Sequence, residues 1–406
     1  MPKLFSLDGK EMDEFDAYNA KNGNADYRIE DIRFGGSELI GKRRSQEDRM
    51  FGYAFEEEVA PVFENLSPGE QQAVIEDTFR IMNKKIEAEL GGIHFQGSTA
   101  IIAVILPKQM RVISASLGDA QVFAVVLDNQ GKLKKVQELN NIHQPSAPLE
   151  KQRLQAFAKS RDIPEQNCVS HNRLGGTLAV SGAFGDLGYV KYGLRHDPDI
   201  KDDHFLLEAG ERLFVIPCCD GLTERNYITL NDIGCFIEAQ RNQQPGMIAT
   251  LLAQEALNRG SGDNVSAQVA EMTSAVNQTD STPLMLGIFD GHGGNKVSQF
   301  LKNEFTRSFI TALAEIAPEL KKILENDYDS IPGTPVLDTS EDDQSNPDVL
   351  QEDIEPIELN ISPVTALPMP AFSAHLQKQT QTDDSVAMPT HRYDLRDRSS
   401  IKRPKY

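Results

Sequence analysis

The chain contains no tryptophan and only four cysteines, Cys168, Cys218, Cys219 and Cys235. They show no pairable framework and no CxxC spacing, so nothing here reads as a disulfide scaffold. Cys218 and Cys219 are adjacent inside an apolar run and read as small core residues. A reducing compartment fits that usage best. Positive charge is also scarce: 41 Lys and Arg face 61 Asp and Glu, for a net charge of −20. That balance argues against a general nucleic-acid binder or a protein that coats anionic membranes. No apolar stretch approaches a membrane span. The N-terminus, MPKLFSLDGKEMDEF, lacks the basic-then-apolar order of a secretory signal. We therefore expect a soluble, cytoplasmic chain, although export by a specialised machine would leave no readable trace. Nothing suggests an obligate oligomer, and a monomer is expected.

What remains is ample for a folded core. The chain has 406 residues, 39% hydrophobic and 25% charged, enough for one large domain or two smaller ones. Residues 1–32 are polar and acidic, and read as an N-terminal extension. From Phe34 the segment FGGSELIGKRRSQEDRMFGYAF predicts two strands around a charged stretch. Ser67 and Pro68 then open a long amphipathic helix, with Val74, Ile75, Phe79, Ile81, Met82 and Ile86 at helical spacing. STAIIAVIL, MRVISASLGDAQVFAVVL, RLFVIPCCDGLTE, NVSAQVAEM and PLMLGIFDGHGG predict strands. EKQRLQAFAKS, NDIGCFIEAQR, PGMIATLLAQEALNRG and GNKVSQFLKNEFTRSFITALAEI predict helices, the last with Val297, Phe300, Leu301, Phe305 and Phe309 on one face. GGTLAVSGAFGDLG reads as a Gly-rich loop. No internal repeat is evident.

Beyond about Glu325 the pattern dissolves. Between Lys322 and Arg392 the only Lys or Arg is Lys378, and such a segment buries too little apolar surface to offset its chain entropy. Residues 326–406 are expected to be a disordered acidic tail with a basic end, HRYDLRDRSSIKRPKY. A solvated tail is the favoured reading of that end over a docking element. The folded domain is expected to span 33–325. Its pattern is α+β: two packed antiparallel sheets flanked by a few long helices.

Three apolar strands lie beside an acidic residue in a turn, at Asp220, Asp290 and Asp263. Glu47-Asp48 adds a fourth acidic point. Taken singly, each has a plain alternative. Asp220-Gly221 is a common turn pair, Asp263-Asn264 suits a cap, Glu47-Asp48 suits a solvated surface and His292 an ordinary loop. Asp290-Gly-His-Gly-Gly294 is sharper, because three glycines leave little side-chain bulk near a ligand. Converging carboxylates raise one another's pKa unless cations hold them ionised. Hard divalent cations such as Mg²⁺ and Mn²⁺ favour oxygen donors of this kind.

Taken together, the set resembles the type 2C metal-dependent protein serine/threonine phosphatase family. The resemblance runs from about Gly35 to Met272 and resumes from Pro283 to about Leu313. It rests on Arg43 with Glu47-Asp48, Gly97-Ser-Thr-Ala100, Gly118-Asp119, and His143-Gln-Pro145 with Glu150 and Arg153. It rests also on Gly175-Gly-Thr-Leu-Ala-Val-Ser181 followed by Ala183-Phe-Gly-Asp186, Asp220-Gly-Leu222, Gly262-Asp-Asn-Val265 and Asp290-Gly-His-Gly-Gly294. The order is unusual. In the family the Asp-Gly-His-Gly strand and its helix follow soon after the Arg43–Asp48 element. Here that strand-helix unit, residues 283–315, comes last. The same site could form if NVSAQVAEM ends near the vacated slot and TSAVNQTDST bridges the gap. A structure placing Asp290 far from Asp220 and Asp263 would end the functional reading.

The resemblance implies a four-layer αββα sandwich with non-standard strand order, two Mn²⁺ or Mg²⁺ ions, and phosphoserine or phosphothreonine proteins as substrates. It implies that Asp290 bridges the two ions, with the Gly291 carbonyl as a further ligand. Asp220 and Asp263 would complete one ion and Glu47 the other. Asp119 would match a third, weaker position. Asp48 would hold water beside the metals, Arg43 would grip phosphate, and His292 would protonate the leaving oxygen. Departures from the family are Gly182, where Arg is frequent, Ile142, where Asp is usual, and Cys219, where Ser is usual. LGYVKYGLRHDPDI, the place of the family's flap, looks short, so substrate preference does not carry over. Two other readings stand beside the enzyme. One is a pseudophosphatase, a binding module on the same fold, against which the retention of Glu47, Asp220, Asp263 and Asp290 argues. The other is a Ca²⁺ module, for which no EF-hand spacing is present.

Overall fold

A computed structural model describes residues 4–6, 11–12, 25–29, 32–91, 94–273, 281–318 and 320. They lie within one compact unit, Met1–Pro335; the second, Val336–Tyr406, lies outside the described residues. The tail expected at 326–406 and most of the linker after Thr273 therefore also lie outside them.

Two large antiparallel sheets form the centre. One has eight strands and the other five. In the five-stranded sheet Leu284–Phe289 lies between Arg49–Ala54 and Ala100–Leu106, followed outward by Arg111–Leu117 and Asp199–His204. The middle of the eight-stranded sheet is built from Gln121–Leu127, Arg212–Cys218, Val265–Thr273 and Ile32–Leu39. Strict alternation assigns side chains to layers, because successive residues of a strand point to opposite faces. Ile101, Ala103 and Ile105 face the other sheet and meet Val122, Ala124, Leu213, Val215 and Met272. Ile102, Val104 and Leu106 face away and meet the helices Pro68–Glu89 and Lys296–Ile316 through Phe79, Met82, Leu301, Phe305 and Phe309. On the far side Phe123, Val125, Phe214, Ile216, Val265 and Ala267 pack under Leu230–Gln240 and Pro245–Asn258. The result is the expected helix–sheet–sheet–helix sandwich.

The strand leading to Asp290 is interior to its sheet although late in the chain. Leu286 pairs with Gly52 on one side and Ala103 on the other. Gly287 is required there: a Cβ would stand 2.0 Å from the Phe51 ring, which stacks on Phe289 with centroids 5.5 Å apart. Met272, near the end of the Val265 strand, and Leu284 share the intersheet core.

Some elements were not expected. Leu4–Ser6, Glu11–Met12 and Ala25–Ile29 are strands that extend one edge of the eight-stranded sheet, within the stretch read as an extension. A short helix, Val59–Asn65, and the strands Leu133–Glu138 and Asp199–His204 were also missed. The last two are largely polar, LKKVQE and DIKDDH respectively, and owe their conformation to pairing with apolar neighbours rather than to their own pattern.

Candidate active site

The acidic residues sit where strands start or stop along one edge of the sandwich. Asp290 follows Phe289, whose partner is Arg49, the residue after Asp48. Cys218, two residues before Asp220, pairs with Gln121 and Ala267. That register brings the Asp119 turn, the Asp220 turn and the approach to Val265 together. Asp263 sits in that approach.

The side chains meet. Asp290 lies close enough to Asp48 and Asp220 for their charges to act on it. Its carboxyl is held well above the usual range, first by burial and then by the charges of Asp48, Asp220, Asp119 and Asp263. Asp220 is likewise raised by burial and by Asp119 and Asp263. Burial pushes Asp48 up to about 6, although the Ser266 hydroxyl donates to it at 2.7 Å. Asp119 is raised by burial while accepting from Gln144 at 2.9 Å. Several acids that repel one another in a buried edge are what a cationic ligand would relieve.

Glu47 approaches from the other side. Its backbone N–H donates to Asn264 at 2.9 Å, and its carboxylate accepts from the Gly294 amide at 3.3 Å. The carbonyl of Glu47 accepts from Ser298. Gly291 is pressed against that carbonyl, so a Cβ would lie 2.5 Å from it. Arg43 stands at the rim, more than half exposed, and its guanidinium pairs with Asp263 at 2.5 Å. Among the described residues no three His, Cys, Asp or Glu side chains are disposed to close on a cation as they stand. Asp263 instead pairs with Arg43.

His292 has a partner to which the sequence reading gave no role. Its Nε2 lies 2.5 Å from the carboxylate of Asp186. Asp186 is fully buried, in a left-handed conformation with φ 50°. Its Oδ1 has no hydrogen-bond partner. The pair crowds Gly97, where a Cβ would stand 2.3 Å from Asp186 and 2.7 Å from His292. The available signal was that Asp186 closes the Ala183-Phe-Gly-Asp run, where a polar residue after a glycine often takes an unusual φ. Gly182 also finds its reason: a Cβ there would meet the buried His143 ring at 2.7 Å. Cys219 is buried under the cluster, with Sγ accepting from the Ser266 amide at 3.1 Å.

The family described as Protein phosphatase 2C matches residues 42–265, more than half of the chain. The chain belongs to the protein phosphatase 2C family. That match stops before the Leu284–Phe289 strand and Asp290. Among curated 2C relatives, the chain is 28% identical over 213 residues to a probable protein phosphatase 2C 8 of Oryza sativa subsp. japonica, covering 49% of each. It is 25% identical over 263 residues to protein phosphatase 1A of Mus musculus, covering 60% of this chain and 61% of that one. The chain thus spans about half to three-fifths of these relatives' lengths. A solved 2C serine-threonine phosphatase of Toxoplasma gondii aligns at 18% identity and TM-score 0.41, over 60% of this chain and 95% of that one.

Proposed function

We propose that this 2C-family chain is a metal-dependent protein serine/threonine phosphatase whose active site is the Asp290 cluster. The observation that carries the reading is the meeting of Asp290 with Asp48, Asp220, Asp119 and Asp263 across more than 240 residues of sequence. The donor set suits hard divalent cations, since every donor is oxygen. Asp290, Asp220, Asp263, Glu47 and the Gly291 carbonyl would hold two Mg²⁺ or Mn²⁺ ions, and Asp119 a third, weaker one. When bound, such ions lower the pKa of water and neutralise charge on a phosphoryl group. The protein's own part is positioning. Asp48, anchored by Ser266, orients water beside the ions. Arg43 leaves Asp263 to take two phosphate oxygens with its planar fork. His292, oriented through Nε2 by Asp186, keeps Nδ1 as the nitrogen that can give a proton to the leaving Ser or Thr oxygen. Substrates are phosphoproteins, with water as the nucleophile.

The Arg43–Asp263 pair also suits a second reading, a binding module that never loads metal. One experiment separates the two: hydrolysis of an aryl phosphate and a phosphothreonine peptide with Mn²⁺, Mg²⁺ or chelator, beside Asp290→Asn. We expect metal-dependent turnover that falls at least 100-fold in the variant. No turnover at millimolar Mn²⁺ favours the binding module.

A further inference from the structure

Beside His292 the molecule leaves a rigid aromatic surface open to water. Phe95 is 67% exposed, and Val190 is 43% exposed. Phe95 is the only described phenylalanine so exposed. Its ring meets Tyr189 edge-on with centroids 5.6 Å apart, and Tyr189 lies 6.3 Å from Tyr192. Contiguous exposed apolar surface, unlike a lone exposed side chain, marks interaction sites.

This surface is held in place. The Gly188 amide donates to the His94 carbonyl and the Asp186 amide to the Gln96 carbonyl, both at 2.9 Å. Those bonds zip the segment carrying Phe95 to the one carrying Tyr189. The Tyr189 hydroxyl bonds Thr177 at 2.7 Å. The shelf is also continuous with the candidate site. Gly293, next to His292, approaches the Phe95 carbonyl so closely that a Cβ would stand 2.5 Å away. Asp186 anchors His292 at one end of the segment 186–192 whose other end carries Tyr192. Lys191 lies over the Tyr192 ring at 5.0 Å, and the exposed Arg173 binds the Thr177 carbonyl. A shelf of rings edged by cations, on a chain of net charge −20, is complementary to an anionic peptide with an apolar side chain.

We propose that the Phe95–Tyr189–Val190 shelf binds substrate polypeptide, selecting phosphorylated segments that carry a bulky apolar residue one to three positions from the phosphoresidue. Extended peptide advances about 3.3 Å per residue, so such a side chain falls within roughly 10 Å of the phosphate. The inference rests on the phosphatase reading for the identity of its ligand. A phosphothreonine peptide with alanines around the phosphoresidue is compared with versions in which one Phe is walked through the flanking positions. We expect kcat/KM to rise at least fivefold for one Phe position over the alanine peptide. That ratio should fall to about one in Phe95→Ala and be reduced in Val190→Ser. A flat profile in the native chain, or a ratio unchanged by Phe95→Ala, overturns the shelf. If the native chain hydrolyses no peptide and no aryl phosphate with Mn²⁺, the phosphatase reading fails first. The same labelled peptides then decide the shelf by fluorescence anisotropy. Phe-dependent binding lost in Phe95→Ala sustains it, and equal binding of all peptides sinks it.

Discussion

Glu38 shows how a single half-buried acid tunes stability. It lies on Ile32–Leu39, where it is raised to about 7 from 4.5, first by burial and then by Asp48, against the opposing pull of Lys302 and Arg49. Its Oε1 is buried without a hydrogen-bond partner. A carboxyl whose folded pKa lies above its unfolded one binds more protons when folded. Stability then falls as pH rises from about 4.5 to about 7, and levels off above. Glu38→Gln removes the charge at nearly constant shape. We expect it to stabilise the chain by roughly 1–3 kcal/mol at pH 8 and by little at pH 4.5. Urea midpoints at the two pH values measure this, and an equal shift at both would contradict it. The contrast with the site is instructive: Glu38 has Lys302 nearby, whereas Asp290 is surrounded mainly by other acids.

At the scale of elements, the helix Pro68–Glu89 illustrates local signals that survive into the fold. Ser67 accepts from the Glu70 amide while the Glu70 carboxylate accepts from the Ser67 amide, with Pro68 at the first helical position. This capping box satisfies amides that the helix itself cannot. Ser67→Ala should cost about 1 kcal/mol, read as a small drop in the urea midpoint, with aryl phosphate turnover unchanged because the cap is exposed. The helix ending at Ile316 shows the tertiary counterpart. It has no side-chain N-cap bond, and is fixed instead by Leu301, Phe305 and Phe309 against Phe51, Phe55 and Phe79.

For the whole molecule, the interior position of a late strand has a consequence for folding. Without residues after Thr273, Arg49–Ala54 and Ala100–Leu106 would lose the strand that joins them. The outer core would lose Phe289, Phe305 and Phe309, each worth ~1.5–3 kcal/mol when buried. Net stability of a domain is only ~5–15 kcal/mol. A chain ending at Thr273 should therefore show no cooperative thermal transition by near-ultraviolet circular dichroism, and should bind a hydrophobic dye. A chain ending at residue 325 should melt as the full chain does. A sharp transition in the shorter chain would refute the dependence.

The layers were legible because alternation along strands and the 3.6-residue spacing of Val74, Phe79, Met82 and Leu301, Phe305, Phe309 report burial directly. The acidic turns were legible as types of residue at strand ends. Local pattern could not reveal the polar strands at Leu133–Glu138 and Asp199–His204, which form because apolar neighbours offer them a ladder. Nor could it pair His292 with Asp186, 106 residues away. The sequence by itself determined which residues carry charge, which faces are apolar and which family the motifs resemble. Only tertiary structure decided that Leu284–Phe289 enters the interior of the five-stranded sheet, and that Asp290 thereby comes beside Asp48 and Asp220. The reason is that sheet hydrogen bonds depend on proximity and register, not chain order, so a strand late in the chain pairs between Arg49–Ala54 and Ala100–Leu106 when its apolar faces match that slot.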